Sequence, residues 1–126
     1  MAKKCPCGTG SAYGECCGRL HRGGAAARTA EELMRSRYSA FAVRDEAYLL
    51  ESWHPATRPE RVDTDPGTRW TRLEIVRTEE GGPGDAKGVV EFRAHYTAGS
   101  QDGVMHETSR FVRHDGAWVY VRGKVA

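Results

Sequence analysis

The 126-residue sequence lacks long apolar runs and a marked excess of either charge. Hydrophobic residues make up 39% and charged residues 29%, with a mean hydropathy of −0.63. No run approaches the roughly 20 apolar residues of a membrane-spanning helix, and residues 1–4 lead into a cysteine rather than the apolar core of a signal peptide. With 19 basic and 17 acidic residues, a dedicated nucleic-acid-binding protein is not indicated. These absences predict a water-soluble, cytoplasmic protein of one domain, or of a small domain with an appendage.

The charge that is present is unevenly distributed. Residues 1–28 contain five basic residues and one acidic residue, whereas the rest of the chain is mildly acidic. A basic front end favours contact with an anionic partner, such as RNA or an acidic protein face. Solubility explains a short basic arm equally well, so both interpretations stay open. The candidate contact residues are Lys3, Lys4, Arg19 and Arg22.

Cysteine is absent after position 17, and the four cysteines before it form two close pairs. Cys5 and Cys7 flank a proline, and Cys16 and Cys17 follow an interval of eight residues that contains three glycines. Zinc prefers about four sulfur or nitrogen ligands in a tetrahedron. Glycine allows the backbone to turn so that the second pair can face the first. The pattern therefore favours one zinc ion held by all four cysteines.

Other interpretations fit the cysteines less well. A disulfide is disfavoured because nothing indicates export and cytosolic thiols stay reduced. An iron–sulfur cluster needs only four thiolates, but the spacing does not match ferredoxin sequences, and the Cys-x-x-Cys pair of redox proteins is absent. His21, four residues after Cys17, could replace one thiolate, although a flanking surface position is the favoured interpretation.

A metal ion would supply folding energy that the first 28 residues cannot obtain from a hydrophobic core. A segment this short buries little apolar surface, whereas structural zinc contributes about 10–16 kcal/mol. Four protein ligands leave no open position for water, so catalysis at this metal is not expected. Four thiolates and a dication also reduce the charge of the segment to about +2, so attraction to nucleic acid is modest.

Residues 5–18 resemble the SEC-C motif, which is the zinc-binding tail of the SecA translocase and also occurs on many other bacterial proteins. The cysteine spacing and the Gly-x-Gly-Ser element at residues 8–11 carry this likeness, which implies that the four cysteines are the ligands. Residues 33–41 and 53–55 extend it to the YchJ-like family, whose members join a SEC-C motif to a domain similar to nuclear transport factor two. Some members carry a second cysteine motif, which a chain without later cysteines lacks. The resemblance implies a fold and a metal but no settled activity.

The remaining sequence predicts helices followed by strands, which is the α+β class. Thr29 and Glu32 fit a capping box for a helix over 30–42. Asp45 is placed to cap a second helix that continues to Trp53. Alternating runs predict four antiparallel strands near 70–79, 87–98, 103–114 and 117–124, with hairpin turns at Asp102 and Gly103 and at Asp115 and Gly116.

We therefore expect a zinc knuckle with its connector at residues 1–28 and a cone-shaped α+β domain, similar to nuclear transport factor two, at residues 29–126. Aromatic residues at strand spacing usually form a core, so a filled cone is the leading interpretation. In an open cone, Glu107 is the candidate acid or base, assisted by His54. Alternatively, Glu107 only pairs with Arg37 or Arg110. Further candidate ligand contacts are Arg37, Tyr38, Trp53, Phe92, Ser109, Trp118 and Tyr120.

The function that the sequence favours is a non-catalytic accessory or adapter protein that docks through its zinc motif on a protein or ribosome-associated surface. A small-molecule binder or acid–base enzyme that uses the cone is the second hypothesis, and an RNA-binding protein is the third. Sheets of this fold often pair through their outer face, so a homodimer is compatible with the sequence, although no residue demands it.

Overall fold

The computed structural model describes residues 3–125; Met1, Ala2 and Ala126, at the ends of the two predicted domains, lie outside that range. Helices precede strands along the chain, so the predicted α+β class is confirmed. None of the helices within the described range is long and apolar enough to cross a membrane. The division of the chain at residue 28 stays a prediction. The elements are a 3-10 helix at Tyr13–Glu15, helices α1 (Cys17–His21), α2 (Ala30–Val43) and α3 (Glu46–Glu51), and strands β1 (Thr68–Glu80), β2 (Lys87–Ala98), β3 (Gln101–His114) and β4 (Ala117–Val125).

Helix α2 begins as the sequence predicts, but the Glu32 side chain of its first turn has a different partner from the one that a capping box requires. The Thr29 hydroxyl accepts a hydrogen bond from the Glu32 amide at 3.0 Å, which satisfies one free donor of the first turn. The Glu32 carboxylate accepts from the Arg28 amide at 2.8 Å rather than from Thr29. The helix ends where Arg44 adopts the left-handed conformation, with φ of 59°.

Helix α3 is shorter than predicted because the chain after it pairs with the sheet. The Asp45 carboxylate caps the helix by accepting from the Tyr48 amide. After Glu51, however, the backbone of Ser52 accepts from the Tyr120 amide, and the His54 amide donates to the Tyr120 carbonyl at 2.8 Å. These bonds place Trp53 beside β4 in an isolated parallel bridge.

The four strands form one antiparallel sheet in the order β1-β2-β3-β4. Asp115 and Gly116 form the predicted turn between β3 and β4, both with positive φ. The turn predicted at Asp102 and Gly103 is wrong, because the chain reverses at residues 99–100 and Gly103 pairs with Tyr96 inside the sheet. A side chain at position 103 would collide with the Tyr96 ring, so this glycine serves close packing rather than a turn.

The main core lies between α2 and the inner face of the sheet. Alternate residues of β2 and β3 face this side, as their period-two pattern predicts. Register shifts in β1 and β4 mark β-bulges, which bend these strands and increase the local twist of the sheet. The buried members of the core are Ala30, Leu33, Met34, Tyr38, Leu73, Val90, Phe92, Ala94, Phe111 and Trp118.

Candidate functional site

Two short backbone structures bring the cysteine pairs together. Gly8 and Gly10 both have φ near +90°, which lets the chain turn back after the first pair. The turn is closed by a hydrogen bond from the Cys5 amide to the Ser11 carbonyl at 2.8 Å. The second pair follows the 3-10 helix, and Cys17 is the first residue of α1.

The four sulfur atoms lie within 4.8 Å of one another. None of the four thiols is joined in a disulfide in the described chain, and the Sγ atoms of Cys7 and Cys16 are 3.6 Å apart. Zinc bound by four thiolates at about 2.3 Å requires sulfur–sulfur distances of about 3.8 Å. The cluster matches that requirement, so these side chains could hold a tetrahedral metal ion.

The environment of the sulfurs favours a cation. A hydrogen bond from the Cys17 thiol lowers the pKa of Cys7 to about 4, although burial opposes this effect. The same contact, together with burial, raises the pKa of Cys17, and burial raises the pKa of Cys16. The protein alone therefore stabilises one thiolate among buried neighbours that resist a second charge. A bound dication removes this repulsion and allows the remaining thiols to ionise.

The cysteine segment packs against one side of α2. Arg35 donates from Nη1 to the Cys7 carbonyl at 2.6 Å. The Ser39 hydroxyl lies 3.4 Å from the Cys5 sulfur. The sequence did not indicate either contact, nor the Thr9 hydroxyl that lies 3.2 Å from the Cys16 sulfur. Only the i, i+4 spacing of Arg35 and Ser39 on one helix face could have indicated a shared role.

His21 is not the flanking surface residue that the sequence favours. It is half-buried, with Nε2 2.8 Å from the Ser36 carbonyl and Nδ1 2.5 Å from the Tyr13 hydroxyl. Because a carbonyl can only accept, Nε2 donates to it and Nδ1 accepts from the tyrosine. Both ring nitrogens are thereby used, and His21 links the cysteine segment to α2 without joining the sulfur cluster.

The basic front end is less free than its sequence suggests. Arg19 donates from Nε to the Cys16 carbonyl, and its Nη2 lies 3.6 Å from the Glu32 carboxylate. Arg22 is exposed but donates to the Gly14 carbonyl. Lys3 and Lys4 are exposed at the edge of the turn. Arg22 and Arg28 are exposed and have no ion pair among the described residues, so these two arginines and the two lysines are the charges available to a partner.

A cavity of about 260 Å³ lies between α2 and the sheet, so the cone is not filled. Seven residues predicted from the sequence line it, and Met34, Phe41, Trp70, Ala94 and Met105 complete the wall. Trp70 and Met105 were missed, although Met105 lies two residues before Glu107 on the same strand face. The predicted residues in the wall are Arg37, Tyr38, Trp53, Phe92, Glu107, Ser109 and Tyr120.

Two predicted cavity residues lie elsewhere. His54 does not line the cavity; its ring packs on His114 with the ring centres 4.8 Å apart, and its Nδ1 accepts from the Ala56 amide. The pairing of the chain after α3 with β4 carries His54 past the cavity, so it is not brought to Glu107. Trp118 is buried in the core, where its Nε1 donates to the Arg28 carbonyl and Arg113 covers its ring.

Glu107 faces the cavity without an ion-pair partner in the described residues. Its Oε2 accepts from the Ser109 hydroxyl at 2.7 Å, and no Arg37 or Arg110 nitrogen lies within 4.0 Å of it. The carboxylate rests on Gly123 of β4, where any side chain would collide with it. A direct salt bridge from Glu107 to either arginine is therefore absent among the described residues. Burial lowers the pKa of Arg37, and the Glu107 charge across the cavity acts against that effect.

Comparison with known proteins gives consistent likenesses. The family model described as YchJ, middle NTF2-like domain, matches residues 29–123. A UPF0225 protein of Streptomyces coelicolor is 58% identical over 120 residues, which cover 95% of this chain and 94% of the relative. A UPF0225 protein of Corynebacterium glutamicum is 52% identical over 125 residues, which cover 99% of each chain.

Two solved structures are similar over both the cysteine segment and the sheet. The solution structure of a SEC-C motif containing protein from Rhodopseudomonas palustris has a TM-score of 0.85 and 32% identity, covering 100% of this chain and 99% of that chain. The crystal structure of a SEC-C motif containing protein from Psychrobacter arcticus has a TM-score of 0.78 and 28% identity, covering 97% and 82% respectively.

Proposed function

This chain belongs to the YchJ-like family, UPF0225, as its sequence predicted, and from that premise we propose that it is a zinc-binding, non-catalytic adapter protein. Zinc is held by Cys5, Cys7, Cys16 and Cys17, and the knuckle docks on a protein or ribosome-associated surface. The observation that carries the proposal is the sulfur cluster, with all four Sγ atoms within 4.8 Å of one another. A cytoplasmic location suits such a site because thiols stay reduced there.

The ligand chemistry supports zinc in a structural role. Four thiolates are typical of closed structural zinc sites, whereas catalytic zinc keeps one position for water or substrate. The SEC-C motif that both solved neighbours carry is generally a zinc-binding motif. Zinc supplies the folded shape of the first residues of the chain, because their own core consists of little more than the cysteines.

The two sides of the knuckle support docking through its free edge. One side is covered by α2, through Arg35 and Ser39. On the other side Lys3, Lys4 and residues 8–11 are exposed. This edge offers two positive charges, which suit an acidic protein face. RNA binding is the weaker alternative, because Arg19 is engaged with Glu32 and four thiolates around a dication reduce the positive charge of this segment.

Co-sedimentation with bacterial ribosomes, in parallel with capture of protein partners from cell extract, tests the adapter function. The full chain is first verified by native mass spectrometry to carry one zinc ion. We expect the double variant Lys3→Glu/Lys4→Glu to weaken retention at least about tenfold, because like charges then face each other at the contact. Its matched control, Arg122→Glu/Lys124→Glu on the exposed edge strand, makes the same charge change and keeps binding.

Three results would contradict the proposal. A native mass spectrum that shows the polypeptide without bound metal would contradict the assignment of zinc. Equal retention of the wild type and both variants would show that the exposed edge of the knuckle is not the docking surface. Binding to naked RNA that falls steeply between low and physiological salt replaces the adapter with an RNA-binding protein.

A further inference from the structure

The cavity between α2 and the sheet is large enough for a ligand of one substituted ring. Its volume is about 260 Å³, and apolar protein cavities of about 150 Å³ already bind benzene. Most of its wall is apolar, with aromatic rings from both the helix and the sheet. Such a wall favours a flat apolar body, and the few polar groups then decide which ligand fits.

Arg37 is a buried cation in this wall. It is 4% exposed, and its Nη1 donates to the Leu49 carbonyl at 2.8 Å and to the Ser52 hydroxyl at 2.6 Å. Its guanidinium lies against the rings of Trp53 and Tyr120, 5.0 and 4.5 Å from their centres. Burial lowers the pKa of Arg37 to about 10, so it is charged at neutral pH.

This cation has no carboxylate within 4.0 Å among residues 3–125. Buried charges are normally paired, since an unpaired one is costly. Among the described residues, Leu49 and Ser52 are the hydrogen-bond acceptors of this guanidinium, and both are bound by Nη1. The Glu107 charge acts on Arg37 only from beyond salt-bridge distance. The wall therefore offers an unmatched positive group.

Trp53 adds a second unmatched donor. Its indole Nε1 is buried and has no hydrogen-bond partner within the part of the chain that the structure describes. Trp53 lines the cavity and packs edge-on against Tyr120, with ring centres 4.8 Å apart. An indole N–H without a partner, next to a buried guanidinium that lies 5.0 Å from the centre of the indole ring, favours a ligand that brings a carboxylate.

Glu107 limits which carboxylate fits. It enters the cavity from the sheet, whereas Arg37 enters from the helix, and one of its oxygens is occupied by Ser109. The free oxygen accepts hydrogen bonds and repels a second anion. A ligand with its acid group on the helix side and a hydroxyl donor on the sheet side provides a partner for both Arg37 and Glu107.

We infer that the cavity binds a small aromatic carboxylate whose ring carries a hydroxyl donor. Arg37 and Trp53 bind the acid group, Glu107 accepts from the hydroxyl, and the aromatic wall covers the ring. This site is separate from the cysteine cluster and does not depend on the docking function.

Nuclear magnetic resonance with the zinc-loaded full chain tests this inference. The probes are 4-hydroxybenzoate, benzoate and the neutral benzyl alcohol, and the readout is the Trp53 indole N–H signal, identified with Trp53→Phe. We expect saturable shifts with 4-hydroxybenzoate, weaker binding of benzoate, and at least about tenfold weaker binding of benzyl alcohol, because hydrogen bonds to charged groups are the strong ones.

A pair of alanine variants localises the binding. Ala94→Leu fills the cavity from β2 with apolar atoms, and it should abolish the shifts while the sheet signals remain. Ala98→Leu makes the same change at an exposed position of the same strand and should bind as wild type. Shifts that persist in Ala94→Leu, equal binding of benzyl alcohol and benzoate, or no saturable shift with any probe would overturn the inference.

Discussion

His21 joins the cysteine segment to the helical layer through both of its ring nitrogens. Its ring also lies beside Tyr48 of α3, with ring centres 4.5 Å apart. Tyr48 in turn shares a hydrogen bond with the Ser36 hydroxyl at 2.7 Å. One imidazole thus connects three parts of the fold, and its loss would remove one hydrogen-bond partner from the Tyr13 hydroxyl and one from the Ser36 carbonyl.

We expect His21→Ala to lower the free energy of unfolding by about 1–3 kcal/mol, because these groups lose their partners. Urea unfolding of the metal-loaded protein measures the change. His54→Ala is the control, since this half-buried ring packs on His114 and accepts only from the Ala56 amide, and its effect should be smaller than that of His21→Ala. Metal stoichiometry should not change in either variant. A loss of bound metal in His21→Ala would instead make this residue a ligand.

At the scale of single residues, the sequence indicated which side chains carry chemistry better than it indicated which side chains lie next to each other. The four cysteines are predictable because metal sites need donors at close spacing, and they lie together in the structure. The face of Glu107 and Ser109 follows from strand alternation. The separation of His54 from Glu107 could not be foreseen, because it depends on backbone bonds between Ser52, His54 and Tyr120 that are distant in sequence.

The cysteine segment is the element with the smallest core of its own. Its buried members are Cys5, Cys7 and Cys17, and only Tyr13 and Cys16 pack against them. Such a cluster cannot offset the entropy of ordering the backbone without the metal. The sheet, in contrast, is held by three complete strand pairings and the main core.

Removal of the metal by a chelator should therefore expose the amides of residues 3–28 to rapid hydrogen exchange and leave β2 and β3 protected. Cys7→Ser should give the same pattern, and chelator should then cause no further change. Hydrogen–deuterium exchange read by mass spectrometry measures both. Unchanged protection of residues 3–28 after verified metal loss would show that contacts with α2 suffice to fold this segment.

Helices and strands were predictable where local chemistry decides them. The Thr29 cap and the Asp115 and Gly116 turn are set by residues that touch each other along the chain. The predictions were wrong where contacts with residues distant in the sequence decide the structure. Gly103 resembles a turn residue, but it lies inside β3 because the Tyr96 ring needs its space. Helix α3 ends early because β4 binds the next residues.

At the scale of the whole molecule, one close contact fixes α2 on the sheet. The Ala30 amide, at the start of α2, donates to the Gly81 carbonyl at 2.9 Å. A Cβ at Gly88 would lie 2.5 Å from the Gly81 Cα and 3.0 Å from the Ala30 Cβ. Glycine at position 88 therefore lets the helix, the β1–β2 loop and β2 meet.

Gly88→Ala should cost about 1–3 kcal/mol of unfolding free energy, because backbone atoms must move apart to admit the methyl group. Gly84→Ala, in the same loop, has open space around its added atom and should stay within about 0.5 kcal/mol of wild type. Thermal and urea unfolding of both variants measure the difference. Equal unfolding midpoints for the two variants would mean that the backbone admits the methyl group at position 88 without loss of stability.

Helix α2 contacts both the cysteine segment and the cavity. Arg35 and Ser39 contact the cysteine segment, while Arg37, Tyr38 and Phe41, interleaved with them, line the cavity. The residues that contact the two sites alternate along α2 and lie within two turns of it. If α2 can take two positions, the metal ion and the cavity ligand are linked through it. The factor by which the metal raises the affinity for the ligand is then the factor by which the ligand raises the affinity for the metal.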